Sequence, residues 1–468
     1  MNFMLASEAA TCCEGKLYGP NVKIIRTWKC DSREVCLNDA FVAIKGATVD
    51  GHMYIEDAIK NGAKLMLVDS SEMKKIDITN PVFFDITFIA TDDTVQGLAK
   101  IAQSYLKRIS PKVIGITGSV GKTTTRELVV SVLKERYRVH GAIRSFNTVI
   151  GCSLTVLAMP LDTEILVLEF GANHFGEIAE MVNLFLPETV IITAIAPAHL
   201  EGFGSVEGVL RAKLEICSSK SIKNIIYNAD NLRLNESLLN DYKNCNKISI
   251  GYENNASLKI IKAKILLNGL GPTLCVEYLY DNNSFIFEVP LFGIQQAYNV
   301  GYAFATGILF NICKEKIEKA LESSQSIDGR GILSKIRGNT WVVDEAYNAN
   351  PSSMKAAIDN VINMGKNYNY KLYAVLGGMR ELGEASVDCH KEIISKLICF
   401  EKVVLLGEEW YHLGLTMPEN IRSYKSFNEM PSDLELSEIS NGIILIKGSN
   451  SYGLKKIVSQ LMEVSALD

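Results

Sequence analysis

The stretch Lys112-Val113-Ile114-Gly115-Ile116-Thr117-Gly118-Ser119-Val120-Gly121-Lys122-Thr123-Thr124 decides how the chain is read. It opens as an apolar run of strand length, becomes a Gly/Ser/Thr loop, and continues with helical character from Thr124 to Arg136. A strand that runs through such a loop into a helix is the setting a phosphate site needs. Gly118 and Gly121 let backbone N–H groups of the loop, with Ser119 and Val120 between them, come close to phosphate oxygens. The helix N-terminus adds the positive end of its dipole. Lys122 can reach the β- and γ-phosphates of a nucleotide, and the Thr123 hydroxyl can ligate Mg²⁺. Five residues separate Gly115 from Gly121, so the spacing is the T-G-[ST]-x-G-K-T variant rather than G-x-x-x-x-G-K-T.

Outward from this loop, apolar runs alternate with helical segments. Ile165–Phe170, Val190–Ile195 and Lys223–Tyr227 read as buried strands, which implies a largely parallel α/β sheet. From Ile248 to Pro290 strands follow one another directly, with turn signals at Asn268-Gly269, Gly271-Pro272 and Asp281-Asn282-Asn283. An antiparallel patch on the same block is expected there. Before the loop, Phe41–Ile44 and Leu65–Val68 read as strands around a helical Tyr54–Asn61 that Gly62 ends. After Gly329, strands at Thr340–Asp344, Lys371–Leu376, Lys402–Leu406 and Ile443–Lys447 alternate with helices, giving a second parallel α/β unit of Rossmann-like type. The reading is a three-domain α/β chain divided at 1–108, 109–328 and 329–468. With 468 residues, two to four domains are expected.

Composition narrows the partners. Hydrophobic residues make up 47% and charged residues 22%, an ordinary globular balance, and a net charge of −5 offers no basic surface for nucleic acid. No run approaches the length of a membrane span, and the opening MNFMLASEAATCCEG has neither a basic n-region nor a long apolar core. Eleven cysteines, an odd number without a C-x-x-C, fit a reduced cytoplasmic protein with no zinc module. His140 and His412 stand in no motif and read as structural or surface residues. Cys389-His390 face different ways on a helix, which argues against a nucleophilic pair.

The phosphate-loop variant resembles the Mur ligase family, and further segments carry the resemblance along nearly the whole chain in order. They are Asp31-Ser32-Arg33, Phe41–Gly46 and Asp50-Gly51-His52; Leu168-Glu169-Phe170-Gly171-Ala172-Asn173-His174; Ala198-His199 through Gly204-Ser205 with Arg211-Ala212-Lys213; Gly329-Arg330; Tyr347-Asn348-Ala349-Asn350-Pro351; Leu376 to Gly383; and Lys447-Gly448-Ser449. The resemblance implies an N-terminal UDP-binding domain, a central ATPase domain with the phosphate loop, and a Rossmann-like C-terminal domain. It also implies an ATP-dependent ligase that adds D-alanyl-D-alanine to a UDP-N-acetylmuramoyl-tripeptide through an acyl phosphate.

The resemblance further assigns roles. Thr123 and Glu169 would hold one Mg²⁺. His199 and Lys213 would serve a second, with Lys213 carbamylated by CO₂. Asn299 would contact adenine, Arg330 the ATP phosphates, and Glu345, beside Asp344, the nucleotide. Gly118 to Thr124 would cradle the phosphates, with Lys122 catalytic. Ser32, Arg33, Asn147, Thr148, Asn173, His174, Tyr347 and Asn348 would bind substrate. A monomer is expected, whose C-terminal domain closes on the central one and brings Arg330 and Asn348 to the site.

The pattern departs at several positions. Ser145 and Thr148 stand where the family has asparagine, Ala194 stands in T-N-I, Gln295 in G-x-H-N-V, Gly378 in L-G-D-M, and Asn450 after K-G-S. These departures keep two further readings open: a ligase with a different amine or carboxylate substrate, and a catalytically silent nucleotide-binding homologue.

Overall fold

The computed structural model describes residues 4–24, 27–142, 144–242, 244–253, 255–268, 271–429 and 439–466. Among these residues, three substantial sheets follow one another along the chain. The first has five strands in the order Lys16–Tyr18, Thr87–Thr91, Leu65–Asp69, Ala40–Val42 and Trp28–Lys29, with only Lys16–Tyr18 running antiparallel to its neighbour. The second has nine. Its parallel part runs Val139–Gly141, Ile165–Glu169, Lys112–Thr117, Thr189–Ile192, Asn224–Asn228, Asn246–Gly251, and then Leu258–Asn268. Gly271–Tyr280 and Asn283–Val289 complete it as an antiparallel meander. The third has six strands, Ile332–Ile336, Thr340–Glu345, Gly442–Lys447, Lys371–Gly377, Lys402–Leu406 and Ile421–Tyr424. All pair in parallel except the first two.

The phosphate-loop strand lies inside the nine-stranded sheet, covered on both faces. Alternate residues of a strand point to opposite sides. Leu166 and Leu168 enter one core, which also contains Leu98, Ile101 and Tyr105 of the helix Thr94–Ile109. Ile165 and Val167 enter the other, under the helices Lys122–Lys134 and Gln296–Leu309. Burial on both sides explains why these strands read as unbroken apolar runs. The first core crosses from the N-terminal unit into the central one, so the two are packed as one body of side chains.

Three expectations are corrected. The strand read as Val190–Ile195 ends at Ile192, because residues from Thr193 onward leave the sheet to cross the phosphate loop. Gly271-Pro272 is no turn but the start of a strand, with Pro272 opposite Leu267. Half of the turn signal Asn268-Gly269 lies outside the described residues. The antiparallel patch begins later than Ile248, since Asn246–Gly251 pairs in parallel on both sides. Asp281 and Asn282 do form a turn, both at positive φ, as the asparagine-rich signal implies.

Candidate active site

At the C-terminal end of Lys112–Thr117 the chain turns through Gly118, at φ 143°, and Gly121, at φ 85°, into the helix Lys122–Lys134. Both glycines are needed for close approach as well as for backbone conformation. A Cβ on Gly118 would lie 2.0 Å from Thr193 Oγ1, and one on Gly121 would lie 2.6 Å from Asn299 Oδ1. The loop is stitched to the crossing segment. Ser119 N donates to Ala194 O at 2.7 Å, Ser119 Oγ donates to Ala196 O at 2.9 Å, and Thr193 Oγ1 donates to Val120 O at 2.6 Å. Lys122 folds back so that Nζ donates to Gly118 O at 2.7 Å. Burial pushes its ammonium down to about 8, against the opposing pull of Glu169. A bound polyphosphate would raise it again.

The neighbouring strand ends in Glu169, whose side chain is fully buried. Its Oε2 accepts from Thr123 Oγ1 at 3.1 Å. On its other side Arg126 Nη1 lies 2.8 Å from Oε1, close enough for an ion pair but not aligned as a hydrogen bond. Arg126 is itself 2% exposed and also donates to Arg144 O and Glu127. Ser145 Oγ bridges two units: it lies 3.3 Å from Thr123 Oγ1 and accepts from Arg330 Nη2 at 3.1 Å. The Arg330 guanidinium stacks 4.3 Å from the centre of the Tyr347 ring. Lys447 is 1% exposed and donates to Glu345 Oε2 and to Asn348 O, each at 3.0 Å, holding that acidic loop in place.

Lys213, on the helix Val206–Leu214, is 1% exposed. Its Nζ has a long contact of 3.4 Å to Ala172 O and sits 5.5 Å from the centre of the Phe203 ring. Burial, reinforced by the Lys122 charge, brings its ammonium down to about 7. His199 precedes the short helix Leu200–Phe203 and is also pushed down, chiefly by burial; its Nδ1 pairs with Glu381 of the C-terminal unit. Burial raises the carboxyl of Asp344, whose Oδ1 accepts from Ala346 N at 2.9 Å.

A cavity of about 560 Å³ joins these groups. Of the residues expected at a site, it is lined by Ser119 to Thr124, Asn147, Thr148, Glu169, Asn173, His199, Lys213, Asn299, Arg330, Glu345, Tyr347 and Asn348. Gly118 opens the loop and is not among the residues that line the cavity. Three expected residues and Asp344 stand apart. His174 is largely exposed and pairs with Glu177 at 3.2 Å; Asp344 is buried behind Glu345. Ser32 and Arg33 sit in the N-terminal unit, where Arg33 pairs with Asp31 at 2.7 Å. Asn299 is only 7% exposed; its Oδ1 accepts from Thr125 Oγ1 at 3.1 Å and its Nδ2 donates to Gln296 Oε1 at 2.5 Å. His390 is structural: its Nε2 accepts from Met379 N at 3.0 Å.

Sequence reasoning missed Arg126, and it quoted Lys447 and Glu381 only as parts of resembling segments, without a role at the site. Arg126 could have been found, because it lies four residues after Lys122 and so on the same helix face. The departures have partners too. Gln295 Oε1 accepts from Asn360 Nδ2 at 2.6 Å, and a Cβ on Gly378 would meet Glu409 Oε2 at 2.6 Å.

Strand, phosphate loop, helix and a carboxylate at the adjacent strand end define a phosphate-loop nucleotide-binding α/β protein. The chain belongs to the Mur ligase family. Residues 116–307 match the model of the Mur ligase middle domain, 331–450 that of the Mur ligase glutamate ligase domain, and 25–105 that of the Mur ligase family catalytic domain. It is 31% identical over 461 residues, 96% of each chain, to the UDP-N-acetylmuramoyl-tripeptide–D-alanyl-D-alanine ligase of Bacillus subtilis. It is 33% identical over 442 residues, 92% of this chain and 93% of the other, to that of Rickettsia prowazekii. Its fold matches the MurF ligase of Thermotoga maritima in complex with ADP with a TM-score of 0.80 at 25% identity, covering 95% of this chain and 99% of that one.

Proposed function

We propose that the chain is an ATP-dependent ligase joining D-alanyl-D-alanine to a UDP-N-acetylmuramoyl-tripeptide in peptidoglycan precursor synthesis. One observation carries the reading. A single cavity gathers Lys122, the Thr123–Glu169 pair and Lys213 from the central unit with Arg330, Tyr347 and Asn348 from the C-terminal one. The full-length relatives named for that activity support it. In this reaction the γ-phosphoryl group of ATP passes to a carboxylate of the tripeptide. The dipeptide amine attacks the acyl carbon and gives up a proton, and inorganic phosphate leaves with ADP as co-product.

The residues divide that work. Backbone N–H groups of 118–122 and the Lys122 ammonium hold the polyphosphate, and Arg330 reaches it from the other side through its place beside Ser145. Among the described residues no three His, Cys, Asp or Glu side chains converge as a ready metal cage. Mg²⁺ does not need one, since it is held by one or two carboxylates together with phosphates and water. Glu169, with the Thr123 and Ser145 hydroxyls beside it, is an oxygen donor set of that kind. Bound there, Mg²⁺ would neutralise charge building up on the transferring phosphoryl group. Lys213 suits carbamylation because that reaction needs a neutral amine, and its burial supplies one near pH 7.

We also read residues 1–108 as the UDP-substrate unit, 109–328 as the ATP unit and 329–468 as the closing unit, in a cytoplasmic monomer. Among the described residues no helix is long and apolar enough to cross a membrane. The test is phosphate release from Mg-ATP and UDP-MurNAc-tripeptide, with and without D-Ala-D-Ala, beside a Lys122→Ala control. Release that requires the dipeptide and is lost in the control establishes the reading. ATP turnover driven by a different amine would instead favour the redirected ligase suggested by Gln295 and Gly378. No turnover with any pair would favour the silent homologue.

A further inference from the structure

Glu381 reaches the site from a different unit than the residue it touches. It follows the strand Lys371–Gly377, yet its carboxylate pairs with Nδ1 of His199, 182 residues earlier in the chain. The contact is braced on both sides. Glu201 N donates to Glu381 O at 3.4 Å, and Leu200 packs against the hydrophobic core of the C-terminal unit. Both partners hold left-handed backbone conformations, His199 at φ 52° and Glu381 at φ 63°. Such conformations are uncommon for residues other than glycine, and they aim these two side chains at each other. A partly exposed ion pair adds little stability by itself, so the value of this one lies in geometry.

We propose that Glu381 is a positioning residue for the reaction: its carboxylate accepts the Nδ1–H of His199 and so fixes the tautomer in which Nε2 carries the lone pair. The inference rests on the ligase reading above, whose cavity His199 lines. A ring nitrogen can act as a ligand or acceptor only when unprotonated, and the hydrogen bond made by the other nitrogen decides which one that is. Because the carboxylate comes from the C-terminal unit, His199 is correctly prepared only when that unit is docked. Nucleotide binding in the central unit and docking of the C-terminal unit thereby become one event.

The chain has six histidines, so their ring nitrogens can be followed individually by long-range ¹H–¹⁵N NMR in the full-length protein, with His199→Asn to assign the signal. The wild type is expected to show His199 protonated on Nδ1 and bare on Nε2. Glu381→Met removes the acceptor and should shift the ring toward the Nε2–H form. Glu381→Gln keeps an acceptor oxygen and should retain the wild-type form. In phosphate-release assays Glu381→Met should lower the rate roughly ten- to hundredfold, the usual cost of losing the partner that orients a functional histidine, and Glu381→Gln should lower it less. The exposed neighbour change Glu384→Gln should do nothing. A wild-type ring already protonated on Nε2, or a Glu381→Met ring unchanged from wild type, overturns the proposal. The NMR readout needs no turnover, so failure of the ligase reading leaves a separate signature.

Discussion

Lys213 offers the sharpest test of the chemistry, because its burial and its role pull stability and activity in opposite directions. In the unfolded chain its ammonium has an ordinary value of 10.5, and in the fold it falls to about 7. The unfolded state therefore binds the extra proton between about pH 7 and 10.5, and stability contributed by this group rises with pH through that window. Below about pH 7 both states are protonated and the full cost of burying the charge is present. At pH 7 the difference amounts to about 4 kcal/mol against the fold. Lys213→Met keeps the length of the side chain and removes the charge. In CO₂-depleted buffer at pH 7 it should be more stable than wild type by about 1–4 kcal/mol in urea unfolding, while ligase activity is lost. Adding bicarbonate should stabilise the wild type, because CO₂ binds only the folded protein's neutral amine, and should leave the variant unmoved. A variant less stable than wild type at pH 7, or a wild type indifferent to bicarbonate, refutes the argument that Lys213 is a desolvated amine held ready for carbamylation.

Other changes act on named contacts. Gly118→Ala drives a Cβ to 2.0 Å from Thr193 Oγ1 at φ 143°, so binding of a non-hydrolysable ATP analogue, read by calorimetry, should weaken at least about tenfold. Arg126→Met strips the partner from fully buried Glu169 and should cost about 3–5 kcal/mol in urea unfolding, whereas Arg126→Lys keeps a cation and should cost less. Asn360→Ala breaks the amide pair with Gln295 and leaves Ile294 N unpaired, having donated to Asn360 Oδ1 at 3.0 Å. A loss of about 1–3 kcal/mol is expected in the same assay.

The parts of the site that sequence made legible are those whose chemistry is local. The phosphate loop could be read because strand, glycines, lysine and threonine are contiguous, and the physics that shapes the loop is the physics of neighbouring residues. Glu169 could be located because it ends an apolar run, where α/β sheets put their ligands. The strand ending at Ile192 was overextended because Ile195 continues the apolar pattern, yet that residue follows the tie between Ala194 and Val120, a contact set by a loop far away in sequence. Gly271-Pro272 misled for a related reason. A proline is confined to positions where no ladder N–H is required, and the start of a strand is such a position as readily as a turn. The pairings of Arg126 and Glu381 were out of reach for a stronger reason. Helix spacing puts Arg126 on the face of Lys122, and Glu381 stands in a segment that carries the resemblance, but neither signal names the residue it pairs with. What distinguishes them is the partner: Glu169 lies 43 residues beyond Arg126, and His199 lies 182 residues before Glu381. The departures at Ser145, Gln295 and Gly378 follow the same logic. Read along the chain they are losses from a pattern. In the fold Ser145 links Thr123 to Arg330 and Gln295 links to Asn360, each across the boundary between the central and C-terminal units, while the space at Gly378 is taken by Glu409 within the C-terminal unit itself. Substitutions tied to partners across the unit boundary act on how the units dock. The substrate preference of this chain is therefore to be sought in the contacts between its central and C-terminal units rather than in the phosphate loop.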